Sequence, residues 1–244
     1  MRKSLVAMSV LAAAAALPAQ AEYLYGFGNV SVNYLDWSKG TEARSDGGKK
    51  DFAYIELEGG AGFDWGELYG FFDLENVQDG ADKTRAASKG SIQYKTGLDE
   101  VRLFAQTYST ENGGWHVRNN VVGLSYKLTG ENWFFNPWAG FHHTNTAGFV
   151  GMNGGMAGWV TGYNFDAFGQ SFSLSNWHET EFARKEAYAK AASETDKLSM
   201  NGAVAAWWNV TDNVTTGIQY RYSNNKLGQT NYGNAVIYSV KYNF

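Results

Sequence analysis

Four carboxylates and a group of aromatic rings crowd onto one side of a single short stretch. From Phe52 to Asn76 the chain reads FAYIELEGGAGFDWGELYGFFDLEN. Glu56 and Glu58 alternate with Ala53, Ile55 and Leu57, while Asp73 and Glu75 alternate with Leu68, Phe72 and Leu74. Tyr54, Tyr69 and Phe71 share the parity of the carboxylates. A period of two is the period of one strand face. Asp64-Trp65-Gly66 between the two runs is a turn signal, so the stretch reads as a β-hairpin. A turn centred between Trp65 and Gly66 sets Glu58 opposite Asp73 and Glu56 opposite Glu75. Opposed carboxylates repel unless cations answer them. The chemistry such a face offers is attraction of cations and stacking of flat solutes on rings, not bond breaking.

Cations of matching parity exist nearby. A turn between Leu98 and Asp99 sets Lys95 opposite Arg102, and Phe104, Gln106 and Tyr108 continue the face of Arg102. Arg118 or its neighbour Asn119, Lys127, Arg221 and Lys241 are further candidates for that interior. Trp138, Trp177 and Trp207 are candidate inward rings. An acidic wall beside a basic wall produces a transverse field, which orients dipolar solutes and sets ion selectivity. The alternative is that the charges pair and fill the interior, as they do in small barrels. Catalytic chemistry finds little support: Ser, His and Asp all occur on rim-proximal strands, which leaves a barrel hydrolase as a rival, but nothing selects a nucleophile. Neither Gly-x-Ser-x-Gly nor His-Glu-x-x-His occurs. Adjacent His142 and His143 point to opposite strand faces and cannot share a metal. Cysteine is absent, which excludes disulfides and thiol catalysis. No metal, cofactor or catalytic residue is expected.

The elements that must hold these side chains follow from the rest of the sequence. Arg2 and Lys3, an apolar run from Leu5 to Leu17 and the small residues of Ala19-Gln20-Ala21 form a secretory signal peptide over 1–21, cleaved before Glu22. Its removal leaves 18 Lys and Arg against 24 Asp and Glu, a net charge near −6. That balance argues against a nucleic-acid partner. No later stretch reaches the roughly 18 apolar residues of a spanning helix. Gly is 29 of 244, aromatics are 16%, Pro is only 2 and the mean hydropathy is −0.39. A helical membrane protein cannot be so polar, whereas a β-barrel shows lipid only every second residue.

About twelve strands are expected over 22–244. The predicted long connections are Ser38–Lys50, Val77–Lys89, the end of strand five, Asn145–Gly154, 181–196 and Asn224–Tyr232; short turns follow the even strands. The segment 181–196 has an Ala-rich core that reads as a short surface helix. The strands at 133–144 and 156–165 carry aromatics on both faces and show no inside. Alternating short and long connections fit short periplasmic turns, extracellular loops and an even strand count. Tyr238, Val240, Tyr242 and Phe244 share a face and end on a C-terminal aromatic, a pattern similar to the terminal signal read by the outer-membrane assembly machinery. The fold class is therefore all-β: a transmembrane up-and-down antiparallel barrel. A charge facing lipid near the midplane costs about 2–4 kcal/mol for Arg or Lys and somewhat less for Asp or Glu. Glu56, Glu58, Asp73 and Glu75 must then face the lumen.

The run Phe52-Ala-Tyr54-Ile-Glu56-Leu-Glu58, with Asp64-Trp65, Leu68-Tyr69-Gly70 and Asp73, resembles the N-terminal hairpin of the Tsx-like nucleoside-specific channel family, which includes OmpK-type proteins. The strand at Asn29–Tyr34 and the final Tyr-Asn-Phe are similar too. The resemblance implies a monomeric twelve-stranded outer-membrane barrel, set among lipid and lipopolysaccharide, that passes nucleosides and serves phage as a receptor through its loops. Matching positions are Tyr54, Glu56, Glu58, Tyr69 and Asp73, and the family's stacking aromatics correspond loosely to Tyr25 and Phe27. The expected function is passive uptake of nucleosides or related small polar solutes. A non-specific diffusion or ion pore and a plugged structural or adhesive barrel are the alternatives.

Overall fold

A computed structural model describes residues 21–80, 83–112 and 114–244. The predicted signal peptide falls, but for its last residue, outside the described residues. Twelve long strands follow one another: β1 Tyr23–Trp37, β2 Phe52–Phe63, β3 Gly66–Glu75, β4 Arg85–Lys95, β5 Val101–Asn112, β6 Trp115–Tyr126, β7 Trp133–Thr146, β8 Phe149–Ala167, β9 Gln170–Phe182, β10 Ser199–Asn209, β11 Val214–Asn224 and β12 Tyr232–Asn243. A two-residue piece, Leu128–Thr129, continues β6 along β7 past Lys127. Each strand pairs antiparallel with the next, and β12 pairs with β1 over Asn29–Trp37, which closes the barrel. Closure leaves no free sheet edge, the condition for crossing lipid with strands.

The burial pattern is inverted relative to a water-soluble sheet. On β1, Asn29, Ser31 and Asn33 are buried, while Val30, Val32 and Tyr34 between them are exposed. Val122, Phe141 and Val240 are likewise exposed on the outer surface, and Gln93, Thr144 and Ser199 are buried inside. An apolar outside around a polar inside is stable only where the outside meets lipid.

Connections differ between the two rims. At the rim carrying the chain ends, β2–β3, β4–β5, β6–β7, β8–β9 and β10–β11 are joined by short turns. At the other rim the expected alternation fails twice: only 113–114 joins β5 to β6, and 147–148 joins β7 to β8. Asn145–Gly154 is strand rather than loop. Its glycines are spaced so that period-two hydrophobicity is lost while backbone pairing is kept. A register shift between Phe141 and His143 accommodates Asn153 and Gly154. Gly154 sits at φ +74, and a Cβ there would lie 2.3 Å from the carbonyl oxygens of Phe182 and Ala183, so only glycine fits. Val77–Lys89 is also shorter than expected as a loop, because β4 begins at Arg85.

Two short helices occupy the long-loop rim: α1 Lys39–Arg44 and α2 Glu186–Ala191. Helix α2 is not a surface helix. Tyr188 and Ala189 are buried, and the Tyr188 ring meets Phe149 edge-on at 5.9 Å and His142 at 6.2 Å.

The lumen as candidate functional site

Strand alternation delivers the expected faces. Tyr54, Glu56 and Glu58 on β2 and Tyr69, Phe71, Asp73 and Glu75 on β3 all point into the lumen. The register corrects the pairing: Glu56 stands opposite Asp73, Glu58 opposite Phe71 and Tyr54 opposite Glu75. The turn is the two residues Asp64-Trp65, its centre one residue earlier than expected. That one-residue shift slides partners by two and leaves every face unchanged, as a period of two requires.

Cations answer some of these carboxylates. Glu58 accepts from Lys241 Nζ at 3.1 Å, from Tyr69 Oη at 2.7 Å and from Asn29 Nδ2 at 3.1 Å. Glu75 pairs with Arg85. Glu56 and Asp73 are different. Their carboxyl groups lie side by side within hydrogen-bonding reach. Neither makes a salt bridge among the described residues, and Asp73 Oδ1 is buried with no partner. Arg221 on β11 reaches close enough to act on both Asp73 and Tyr54. Its guanidinium lies 5.1 Å from the Trp177 ring centre.

The expected basic wall of Lys95 and Arg102 does not form. The two are opposed as expected. Lys95, however, is exposed at the short-turn rim and donates to the backbone oxygen of Asp64 at 2.9 Å. Arg102 is buried and held by Glu67 at 2.8 Å, because Glu67 on β3 is the acid whose height it matches. Glu67 also takes Lys127, whose Nζ donates to Tyr25 Oη at 3.0 Å. The positive side of the lumen is instead made by Arg85, Lys89, Arg221 and Lys241, on β4, β11 and β12. Of the further cation candidates, Lys127, Arg221 and Lys241 point inward. At Arg118 or Asn119 it is the asparagine that is buried, its Oδ1 accepting from His142 Nε2 at 3.0 Å.

Several aromatic side chains point into the lumen. Tyr25 and Phe27 face inward toward the short-turn rim, where Gly62 and Gly60 leave room for their rings. Phe27 approaches Tyr69 at 6.5 Å, and Tyr69 approaches Phe71 edge-on. Phe104 stacks on Trp138 at 4.9 Å, and Tyr108 faces inward from β5. Trp177 and Trp207 also face the lumen, the latter 4.2 Å from Lys241 Nζ. His142 and His143 point to opposite faces, and no metal-binding cluster occurs among the described residues. Lys89, Glu179 and Arg85 were missed in the sequence. Arg85-x-Ala87-x-Lys89-x-Ser91-x-Gln93 does alternate, but Ala86, Ser88 and Gly90 on the outer face carry too little hydrophobicity to mark a strand.

At the long-loop rim the connections knit together. Arg184 lies wholly buried, 3.0 Å from Glu181 and in contact with Glu194. Glu181 also takes Lys226 from the β11–β12 connection. Burial works against the Lys226 charge, but Glu181, Tyr188 and Glu194 outweigh it and hold its pKa above the ordinary lysine value. Lys49, in the β1–β2 connection, donates to the Leu227 carbonyl at 2.6 Å and lies over the Trp37 ring. Burial first, then Arg85 and Arg221, push its pKa down to about 8, against weaker pulls from Glu194 and Glu75. The unfolded chain keeps that proton to about pH 10.4. Charged Lys49 therefore disfavours folding below pH 8, and the penalty lifts as pH rises from 8 toward 10. Its positive charge at the mouth disappears across pH 8. Reversal potentials in a KCl gradient are expected to move toward cation preference between pH 6.5 and 9. In Lys49→Gln that step is absent; a step of the same size there would disprove the assignment.

A closed barrel with an apolar outside, a charged and ring-lined lumen and short turns at one rim is a channel of the outer-membrane porin class. The chain belongs to the family of the nucleoside-specific channel-forming protein Tsx, whose model matches residues 32–244, and it is a passive channel of the bacterial outer membrane. Its fold is similar to that of the NanC porin, at 12% identity and TM-score 0.52, with 87% of this chain and 98% of that one covered. An outer membrane channel from Pseudomonas putida F1 aligns over 93% of this chain and 99% of its own at 14% identity and TM-score 0.47.

Proposed function

We propose that the barrel carries nucleosides or related small polar solutes through its lumen without chemical change to them. The observation that carries this reading is the pairing of Glu56 and Asp73. They are two adjacent carboxylates with no cation of their own, one of them with a buried oxygen left unbonded, on a wall that also bears Tyr54, Tyr69 and Phe71. Carboxylates accept hydroxyl and amino donors, and rings stack on a flat base. Arg221 faces them and supplies donors. Tyr25 and Phe27 form a first stacking level at the periplasmic mouth, with Glu67 and Lys127. The row Tyr238, Val240, Tyr242 and Phe244 is exposed on the outer face, which suits both lipid and the assembly machinery. The barrel works as a monomer in this reading.

The test is single-channel current in a planar bilayer. Adenosine is expected to block at concentrations where glucose does not. Equal insensitivity to both would leave a general pore, and no current at all would favour a closed structural barrel.

A further inference from the structure

Lys89 on β4 and Glu179 on β9 stand five strands apart around a ring of twelve, on nearly opposite walls. Lys89 Nζ nonetheless lies 2.7 Å from Glu179 Oε1. Gln106 on β5 donates its Nε2 to the same oxygen at 3.1 Å. The three side chains form a chord across the lumen. Trp177 lies two residues from Glu179 on the same face, with its ring 5.6 Å from Lys89 Nζ. Lys89 and Glu179 are mostly shielded, with side-chain exposures of 16% and 13%. A solute that parts them must replace the bonds it breaks, since a shielded charge left unpaired is unfavourable.

We propose that Lys89, Glu179 and Gln106 are the constriction of the channel and set its specificity. The chord opens for solutes that present a donor and an acceptor side by side on one edge, and a flat face to Trp177. The donor takes the place of Lys89 and Gln106 at Glu179, and the acceptor receives Lys89. The amino-substituted edge of a nucleobase has this arrangement. A sugar has the donors and acceptors but no flat face. The inference rests on the nucleoside reading and narrows it to a chemical edge.

Two measurements test it. The chain contains no cysteine, so Lys89→Cys carries a unique thiol. Without solute, Lys89→Cys is expected to raise single-channel conductance at least two-fold. Attaching an aminoethyl group through a methanethiosulfonate reagent restores the ammonium and should lower the current again, whereas a sulfonatoethyl group should not. In the second measurement, adenosine should block the wild type at a concentration at least five-fold lower than purine riboside, which lacks the amino donor. Glu179→Gln, nearly isosteric, keeps the shape of the chord without its charge and should bring the two together. Heat-modifiable gel mobility confirms the fold of each variant. A Lys89→Cys conductance equal to wild type overturns the constriction whatever the solute. Equal block by adenosine and purine riboside in the wild type overturns the edge specificity. Failure of adenosine to block at all sinks the nucleoside reading, and the edge specificity with it, while leaving the conductance result to judge the constriction.

Discussion

Replacing Glu181 by alanine will release α2 and its connection from the barrel while leaving the strands intact. Glu181 is 1% exposed in its side chain and is shared by Arg184 and Lys226. Its loss strands buried Lys226 and leaves buried Arg184 with Glu194 alone. Removing one partner of a buried ion pair costs about 3–5 kcal/mol, and nothing local replaces it. Helix α2 has six residues and no side-chain cap, too short to stand without tertiary support. The strands keep their own hydrogen-bond ladder, so the opening is local rather than global. At about 1.4 kcal/mol per ten-fold, the open population should rise by roughly two orders of magnitude or more. Trypsin, added to protein in liposomes, should then cut after Arg184, Lys185 or Lys190 far faster than in the wild type. Cleavage at the wild-type rate would show that the network does not hold the segment.

Glu56→Gln combined with Asp73→Asn will weaken the preference of the lumen for cations. These side chains are cross-strand neighbours without a salt bridge. Neutralising them removes at least one net negative charge from the wall and strands no lysine or arginine. A unit charge about 4 Å from a passing ion is worth about 1 kcal/mol in water, or roughly five-fold in permeability. The potassium-to-chloride permeability ratio should fall several-fold, and adenosine block should weaken with it. Glu58→Gln is the contrasting variant. It leaves Lys241 without its acid, so it should lower stability as well as shift selectivity. A double variant with unchanged reversal potential would remove Glu56 and Asp73 from the conduction path.

How far the lumen was legible from sequence depends on which property is asked for. The inward placement of Glu56, Glu58, Asp73, Tyr69, Arg102, Phe104 and Tyr108 was legible, because alternation along a strand is local. Partners were not. The turn at Asp64-Trp65 is centred one residue before the expected position, which moves the partner of Glu56 from Glu75 to Asp73. Strand β4 was truncated because Ala86, Ser88 and Gly90 hide its period. The tip of the β7–β8 hairpin, Asn145–Gly154, reads as loop in sequence because glycine carries no hydrophobic signal, although it pairs as well as any residue. Lys89 is lost with the truncation of β4, and with it the chord to Glu179.

Local sequence is enough for the class of protein: an exported, cysteine-free chain of alternating strands whose acidic face has to avoid lipid. Parity along the chain and the cost of a charge in hydrocarbon suffice for that. The tertiary structure alone decided which charges meet. Lys89 with Glu179, Lys127 with Tyr25 and Lys226 with Glu181 join positions 90, 102 and 45 residues apart in sequence. They meet because the number of strands and their stagger set the width of the closed barrel and the height of each side chain within it. Those two quantities belong to the ring as a whole, and no stretch of chain contains them.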